Sequence, residues 1–233
     1  TIPLDVPADV LDATLVALAR ERAAGNVTIP HKEHVAARCA RLTPLAERVG
    51  AVNVFWHEDG LLVGDNSDVG GAEVTLRALL GDAIVGADVA LLGAGGSAAA
   101  VLCAAERCGV ARVRVYNRTM HRAELLASRF PGLVTVARSP TEALSGAALV
   151  VNATPLGLRA GDPPPVAVEA LPPGCAVFDL AYAPGETAWV TAAREAGHRA
   201  ADGEGMLVEQ GAIAFERWFG LAPDRDAMWK AVA

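Results

Sequence analysis

Residues 89–92, Val89-Ala90-Leu91-Leu92, form a short apolar run that breaks at Gly93-Ala94-Gly95-Gly96 and resumes as an alanine-rich stretch reaching Cys108. A second apolar run, Val113-Arg114-Val115-Tyr116, follows. Strand, glycine turn, helix and strand in that order make one βαβ unit, and this constrains the chain to an α/β fold with a parallel sheet. The spacing Gly93-x-Gly95-x-x-Ala98 has a steric meaning in that setting. Gly93 permits the tight turn, Gly95 lets backbone approach a pyrophosphate, and the small Ala98 lets helix and strand pack closely. The helix beginning there offers free N–H groups to an anion, with Ser97 as a further donor.

The residue closing the second strand decides which dinucleotide fits. An NAD site of this kind places Asp or Glu there to accept from the adenosine ribose. Here the strand runs into Asn117-Arg118-Thr119, with Arg122 one turn later. A guanidinium can pair with a 2′-phosphate and stack on adenine, and no carboxylate is offered to a free 2′-hydroxyl. NADP is the expected cofactor.

Around this unit the patterns continue. Residues 8–23 place Val10, Leu11, Leu15, Leu18 and Ala19 at helical spacing, and Val35, Ala36 and Cys39 mark a second helix. Between them, residues 26–29 read as a strand cut off by Pro30. Residues 51–56 and 61–64 flank the polar turn 57–60 and read as a hairpin. Ser139-Pro140-Thr141-Glu142 is a capping box opening a helix. Strands are expected at 148–151 and 176–180, and helices at 187–196 and 206–218, the last able to pack back on the first region.

The 233 residues are 52% hydrophobic, enough for a sizeable core, with no uninterrupted apolar stretch of membrane-spanning length. The first residues lack the pattern of a secretory signal, which makes the cytoplasm the expected location. A formal charge of −7 without a basic run argues against nucleic acid and for a small-molecule partner. The four cysteines fit neither a zinc pair nor a disulfide scaffold and are expected as buried free thiols. His31, Glu33 and His34 lack a third metal ligand in a suitable pattern, so no metal is expected. Trp189, Trp218 and Trp229 are expected to pack rather than to stack on bases.

Two polar segments end apolar runs elsewhere: Asn26-Val27-Thr28-Ile29-Pro30-His31-Lys32 and Asp65-Asn66-Ser67-Asp68. Oxidising an alcohol with a nicotinamide needs a group to take the hydroxyl proton, and a Lys beside a carboxylate can relay it. Lys32 and Asp68 are the candidate pair.

At these motifs the chain resembles the shikimate dehydrogenases over nearly its whole length. The resemblance rests on Asn-Val-Thr-x-Pro-x-Lys at 26–32, Gly-Ala-Val-Asn at 50–53, Asp-Asn-Ser-Asp at 65–68, Gly-Ala-Gly-Gly at 93–96, Asn-Arg-Thr at 117–119, Asn-Ala-Thr at 152–154 and Gly-Met-Leu-Val-x-Gln at 205–210. It implies reversible reduction of 3-dehydroshikimate to shikimate, in aromatic amino-acid and chorismate biosynthesis, with Lys32 and Asp68 in acid–base roles. Asn26, Thr28, Asn53, Asp68, Tyr182 and Gln210 would then contact substrate, and Asn117, Arg118, Thr119 and Arg122 the 2′-phosphate. Asn152, Ala153 and Thr154 would also line the cofactor, with Leu180, Gly203 and Met206 along the nicotinamide.

The expected architecture is a two-domain α/β protein. Residues 1–82 with 206–233 form a substrate domain, residues 83–205 form a Rossmann-like NADP domain, and catalysis lies in the cleft between. Some 40 residues of an ordinary member, with a Ser-x-Ser turn for the substrate carboxylate, are expected upstream of Thr1, so this substrate domain is incomplete as given. Val54 stands where the family commonly has Thr, and Ser67-Asp68-Val69-Gly70 where Thr-Asp-Gly is usual. These departures leave quinate or an amino-shikimate open as substrates, and a non-catalytic NADP-binding module is the alternative from another class. A monomer or homodimer is expected.

Overall fold

The computed structural model describes residues 2–159 and 161–232. They divide into two compact units, one of residues 1–67 and 211–223, the other of residues 68–210 and 224–233.

Unit 1 opens with α1 (Leu11–Arg20), β1 (Gly25–Asn26), α2 (Lys32–Arg38), β2 (Arg41–Leu42) and α3 (Pro44–Val49), followed by β3 (Val54–Glu58) and β4 (Leu61–Asp65). Its four-stranded sheet runs β1-β3-β4-β2. The hairpin expected from two apolar runs is β3 and β4, and their pairing tightens the turn to Asp59-Gly60. Both residues have positive φ, 52° and 78°, the backbone twist that a two-residue hairpin turn demands. The expected strand at 26–29 is shorter, because Pro30 has no N–H and Thr28 already accepts from His31 N at 3.0 Å in a turn. Thr43 caps α3 by accepting from Ala46 N at 3.2 Å, with Pro44 in the first turn. Such a cap is worth about 1 kcal/mol. Leu11, Leu15, Val35, Val52 and Phe55 form the core of this unit.

Unit 2 contains α4 (Asp68–Leu80), β5 (Asp88–Leu92), α5 (Gly96–Arg107), β6 (Arg112–Tyr116), α6 (Met120–Arg129), β7 (Val134–Val136) and α7 (Pro140–Leu144). It continues with β8 (Leu149–Asn152), β9 (Ala176–Asp179), α8 (Ala188–Glu195) and β10 (Arg199–Ala201). Two further helices follow, α9 (Glu204–Phe219), which is counted with unit 2 as far as Gln210, and α10 (Arg225–Val232). The six-stranded sheet has the order β10-β9-β8-β5-β6-β7, and every pairing in it is parallel. Ala90, Leu92, Val150 and Val177 pack with Ala143, Leu144, Trp189 and Val190 from α7 and α8. Leu91, Val151 and Phe178, of the other parity, are equally buried, as a parallel sheet covered on both faces requires.

The division falls after Ser67, earlier than the boundary expected near residue 82. The reason is α4, which packs along α5 and against β9 and β10. In the capping box at α7, Ser139 accepts from Glu142 N at 3.1 Å. Glu142 answers to Arg138 N, at 2.7 Å, rather than to the N–H of Ser139. The cysteines are free, with Cys39 only partly buried and the other three buried. Trp229 is 41% exposed, although its ring lies against Gly205. Among the described residues no helix is long and apolar enough to cross a membrane.

Candidate active site

In unit 2 the strand order reverses around β5, which has β6 on one side and β8 on the other. Ligands of open parallel sheets bind beyond the carboxyl ends of the strands at such a switch point. Gly93 leaves β5 at φ +114°, and its N–H donates to Tyr116 O at 2.8 Å. A Cβ at Gly93 would sit 2.6 Å from Ala153 O, so this position excludes side chains twice, by conformation and by space. Gly95 differs. A Cβ there would meet nothing within 4 Å, so its smallness is not needed by the protein's own packing. It leaves backbone open in front of the N-terminus of α5, where a pyrophosphate would approach. Ala94 and Ser97 are half-buried beside it, and Ala98 is fully buried.

Beyond β6, Asn117 donates from Nδ2 to Thr119 O at 2.8 Å, fixing the turn into α6. Arg118, Thr119 and Arg122 are exposed. Neither guanidinium is tied up in an ion pair among the described residues. Two unneutralised guanidinium groups with no acidic side chain closing the strand suit a phosphorylated ribose. The residues present therefore fit NADP.

Beyond β8 and β9 the polar groups face inward. Asn152 is fully buried, and its amide is used up. Nδ2 donates to Asp179 Oδ1 at 2.8 Å and to Leu156 O at 3.0 Å. Oδ1 accepts from Thr154 N at 3.0 Å and from Thr154 Oγ1 at 2.7 Å. Asn152 thus shapes the turn carrying Ala153 and Thr154 rather than presenting its own side chain. Leu180 is half-buried, and its N–H donates to Asn152 O at 2.9 Å. Gly203 donates to Ala181 O at 2.9 Å, and a Cβ there would collide with Leu180 O. Met206 is buried one turn into α9. Tyr182 is 48% exposed, and Gln210 bonds back to Leu207 O at 3.0 Å.

In unit 1, Lys32 is the half-buried first residue of α2, and its carbonyl accepts from Val52 N at 2.9 Å. Asn26 Nδ2 donates to Asn53 O at 3.1 Å, which brings two expected substrate residues together. Asn53 is 2% exposed and brackets Ser67, donating to its Oγ at 3.0 Å and accepting from its N–H at 2.7 Å. Thr28 is exposed. Val54 is buried and belongs to the core. Asp68, counted with unit 2, is 4% exposed at the first position of α4, where the helix dipole favours a carboxylate.

Sequence reasoning missed Asp179 and Thr187, which bond at 2.9 Å beneath the loop after β9. The signal was present: an Asp closing the apolar run Ala176-Val177-Phe178 is rarely left without partners. Among the described residues no group of three His, Cys, Asp or Glu is placed to hold a metal. His31 bonds Val6 O and His34 bonds Asp12, each at 2.7 Å. A groove of ≈ 420 Å³ in unit 1, lined by Leu15, Val16, Ala19 and Leu61 among others, contains none of the motif residues.

Residues 1–55 match the shikimate dehydrogenase substrate binding domain family, and residues 203–233 the shikimate 5′-dehydrogenase C-terminal domain family. A shikimate dehydrogenase (NADP⁺) of Rubrobacter xylanophilus is 45% identical over all of this chain and 84% of its own length. The crystal structure of a Thermus thermophilus shikimate 5-dehydrogenase with NADP(H) and shikimate superposes with a TM-score of 0.85 at 36% identity, covering 98% of this chain and 85% of that one. Quinate dehydrogenase from Corynebacterium glutamicum in complex with NAD gives a TM-score of 0.85 at 30% identity, covering 94% and 81%. With two family domains matched and a relative of this identity covered along most of its length, the chain belongs to the shikimate dehydrogenase family.

Proposed function

We propose that this protein is an NADP-dependent shikimate dehydrogenase, an oxidoreductase acting on a CH–OH group, which interconverts 3-dehydroshikimate and shikimate on the route to chorismate and the aromatic amino acids. The observation that carries the cofactor half of this reading is the pair of exposed guanidinium groups of Arg118 and Arg122 beyond β6, neither in an ion pair among the described residues. The substrate half follows from family membership and from the Asn26, Asn53 and Ser67 cluster.

Bound across the Gly93–Gly96 turn, the nicotinamide would supply hydride chemistry to the substrate carbon that bears the reacting hydroxyl. The chain's own residues do the rest. Lys32 exchanges the proton of the reacting oxygen, with Asp68 as its carboxylate partner. Thr28, Asn53, Tyr182 and Gln210 hold the remaining hydroxyls and ring. Arg118 and Arg122, with Asn117 and Thr119, hold the 2′-phosphate, and the N-terminus of α5 with Ser97 holds the pyrophosphate.

The test is direct: the full-length protein with NADP⁺ and shikimate should raise the absorbance of reduced nicotinamide. Absence of turnover would overturn the assignment, and faster turnover of quinate would move the substrate to that relative's class. Lys32→Ala should lower kcat by about 100-fold or more with NADP affinity nearly unchanged. A fully active variant removes Lys32 from the proton-transfer role.

A further inference from the structure

We infer that Asp179 is a positioning residue for the nicotinamide half of the cofactor site, acting through the two loops it ties together. The inference rests on the NADP reading above. In the order β10-β9-β8-β5-β6-β7, a dinucleotide crossing at the turn after β5 has its adenosine over β6, where Arg118 stands. Its other half must then lie over the ends of β8 and β9. Asn152 and Asp179, which close those strands, are not open to a ligand. They belong to a buried network, and Asp179 is its hub.

Asp179 is the last residue of β9 and is fully buried. Its Oδ1 accepts from Asn152 Nδ2 at 2.8 Å and from Ala181 N at 3.1 Å. Its Oδ2 accepts from Thr187 Oγ1 at 2.9 Å. Each donor governs a different piece of chain. Asn152 shapes the turn through Thr154 and Leu156, Ala181 lies in the loop after β9, and Thr187 caps α8 by accepting from Val190 N at 3.3 Å. Gly157 closes over the carboxylate, where a Cβ would lie 3.5 Å from Oδ2. One side chain thereby sets the height of residues 152–157 against residues 180–187. Burial pushes this carboxyl above its ordinary value, and the three bonds work against that rise. A charge so costly to bury, with its oxygens turned to the protein's own donors, fits a role in fixing the geometry of the groups around it.

Asp179→Asn keeps the volume and removes one acceptor, so one donor is left unmatched and the two loops shift relative to each other. A displacement of this kind near a reacting centre lowers rate without removing any contact to the substrate. The expected result is a loss of about tenfold in both NADPH affinity and kcat, with 2′,5′-ADP, which lacks the nicotinamide, bound within about twofold of wild type. Thr187→Val should move the same quantities by less, and Thr187→Ser should restore them. The Thr187 pair decides the matter if Asp179→Asn does not fold. Equal weakening of NADPH and 2′,5′-ADP, or no change in either NADPH affinity or kcat, overturns the proposal. A wild type that binds NADPH but turns over neither shikimate nor quinate would sink the dehydrogenase reading, while the comparison of the two ligands would still judge Asp179.

Discussion

Beyond the carboxyl end of β6, Arg118 and Arg122 stand exposed with no ion pair among the described residues, while beyond β8 and β9 Asp179 is sealed with three donors on its two oxygens. The two flanks of one glycine turn thus use charge in opposite ways. An exposed cation left unneutralised is available to a partner outside the chain. A buried anion with every oxygen answered has its partners inside it, and its effect on a ligand is indirect. On the proposed reading, charge saturation would separate the residues that read a cofactor from those that hold its readers in place.

Breaking the turn between the flanks should have the largest effect. Gly93→Val places a β-branched side chain at φ +114°, against Ala153 O. Strain of this kind costs about 1–3 kcal/mol before the clash is added, so a clear fall in Tm and loss of measurable NADPH binding are expected. A variant that binds NADPH normally would mean that the turn is not the cofactor cradle. The next test sharpens the exposed flank. Arg118→Ala should weaken NADP binding by roughly 10–100-fold and leave NAD nearly untouched, since a charge-assisted bond is worth about 1.5–3 kcal/mol. Equal losses for the two cofactors would show that Arg118 does not read the 2′-phosphate.

The smallest effect tests the buried flank. Asp202, 9% exposed, accepts from Glu204 N with Oδ1, while its Oδ2 meets no donor in good hydrogen-bond geometry among the described residues, the Ala183 N–H and the Arg194 charge giving it only partial compensation. Burial holds its carboxyl above the ordinary 3.8. A folded-state value above the unfolded one means that the native state binds this proton more tightly. Stability from this group is therefore lost as pH rises through 3.8 and on to the raised folded value, and the penalty persists above it. Asp202→Asn should accordingly raise Tm slightly at neutral pH, by the equivalent of about 1 kcal/mol, and the gain should fade as pH falls from the raised folded value towards 3.8. A less stable variant at neutral pH would show that the ionised form of Asp202 is needed by the fold.

The sequence disclosed the exposed flank more readily than the buried one. Gly93, Gly95 and Arg118 act through backbone freedom and unpaired charge, and both leave a local trace in spacing and residue type. Asp179 acts through Asn152 and Thr187, and that pairing exists only once β8 and β9 lie side by side. The same contrast runs through the secondary structure. The runs at β5, β6, β8 and β9 are rich in apolar residues, so the parallel sheet was legible. β10, Arg199-Ala200-Ala201, has no β-branched or aromatic residue and went unread. α4 was hidden by Gly70 and Gly71, poor helix formers. Gly71 is nonetheless required, since a Cβ there would sit 2.7 Å from Met206 O. Tertiary packing overrode propensity at that position, and no local pattern records it.

Unit 1 is made of residues 1–67 and 211–223, and its two stretches are joined by Arg217 on Asp65 at 2.6 Å and by Trp218 Nε1 donating to Phe55 O at 3.2 Å. A ribosome delivers the first stretch long before the second. Until residue 217 emerges, Asp65 holds Thr43 without its guanidinium, and the hairpin carries Trp56 without the cation that comes to lie 5.5 Å from its ring centroid. Loop closure over so long an insertion is entropically slow, and the intervening residues 68–210 carry all six strands of the parallel sheet, so that sheet can condense before residues 211–223 close unit 1. The unit that carries Thr28, Lys32 and Asn53 then matures after that sheet, and its completion waits on residues 211–223.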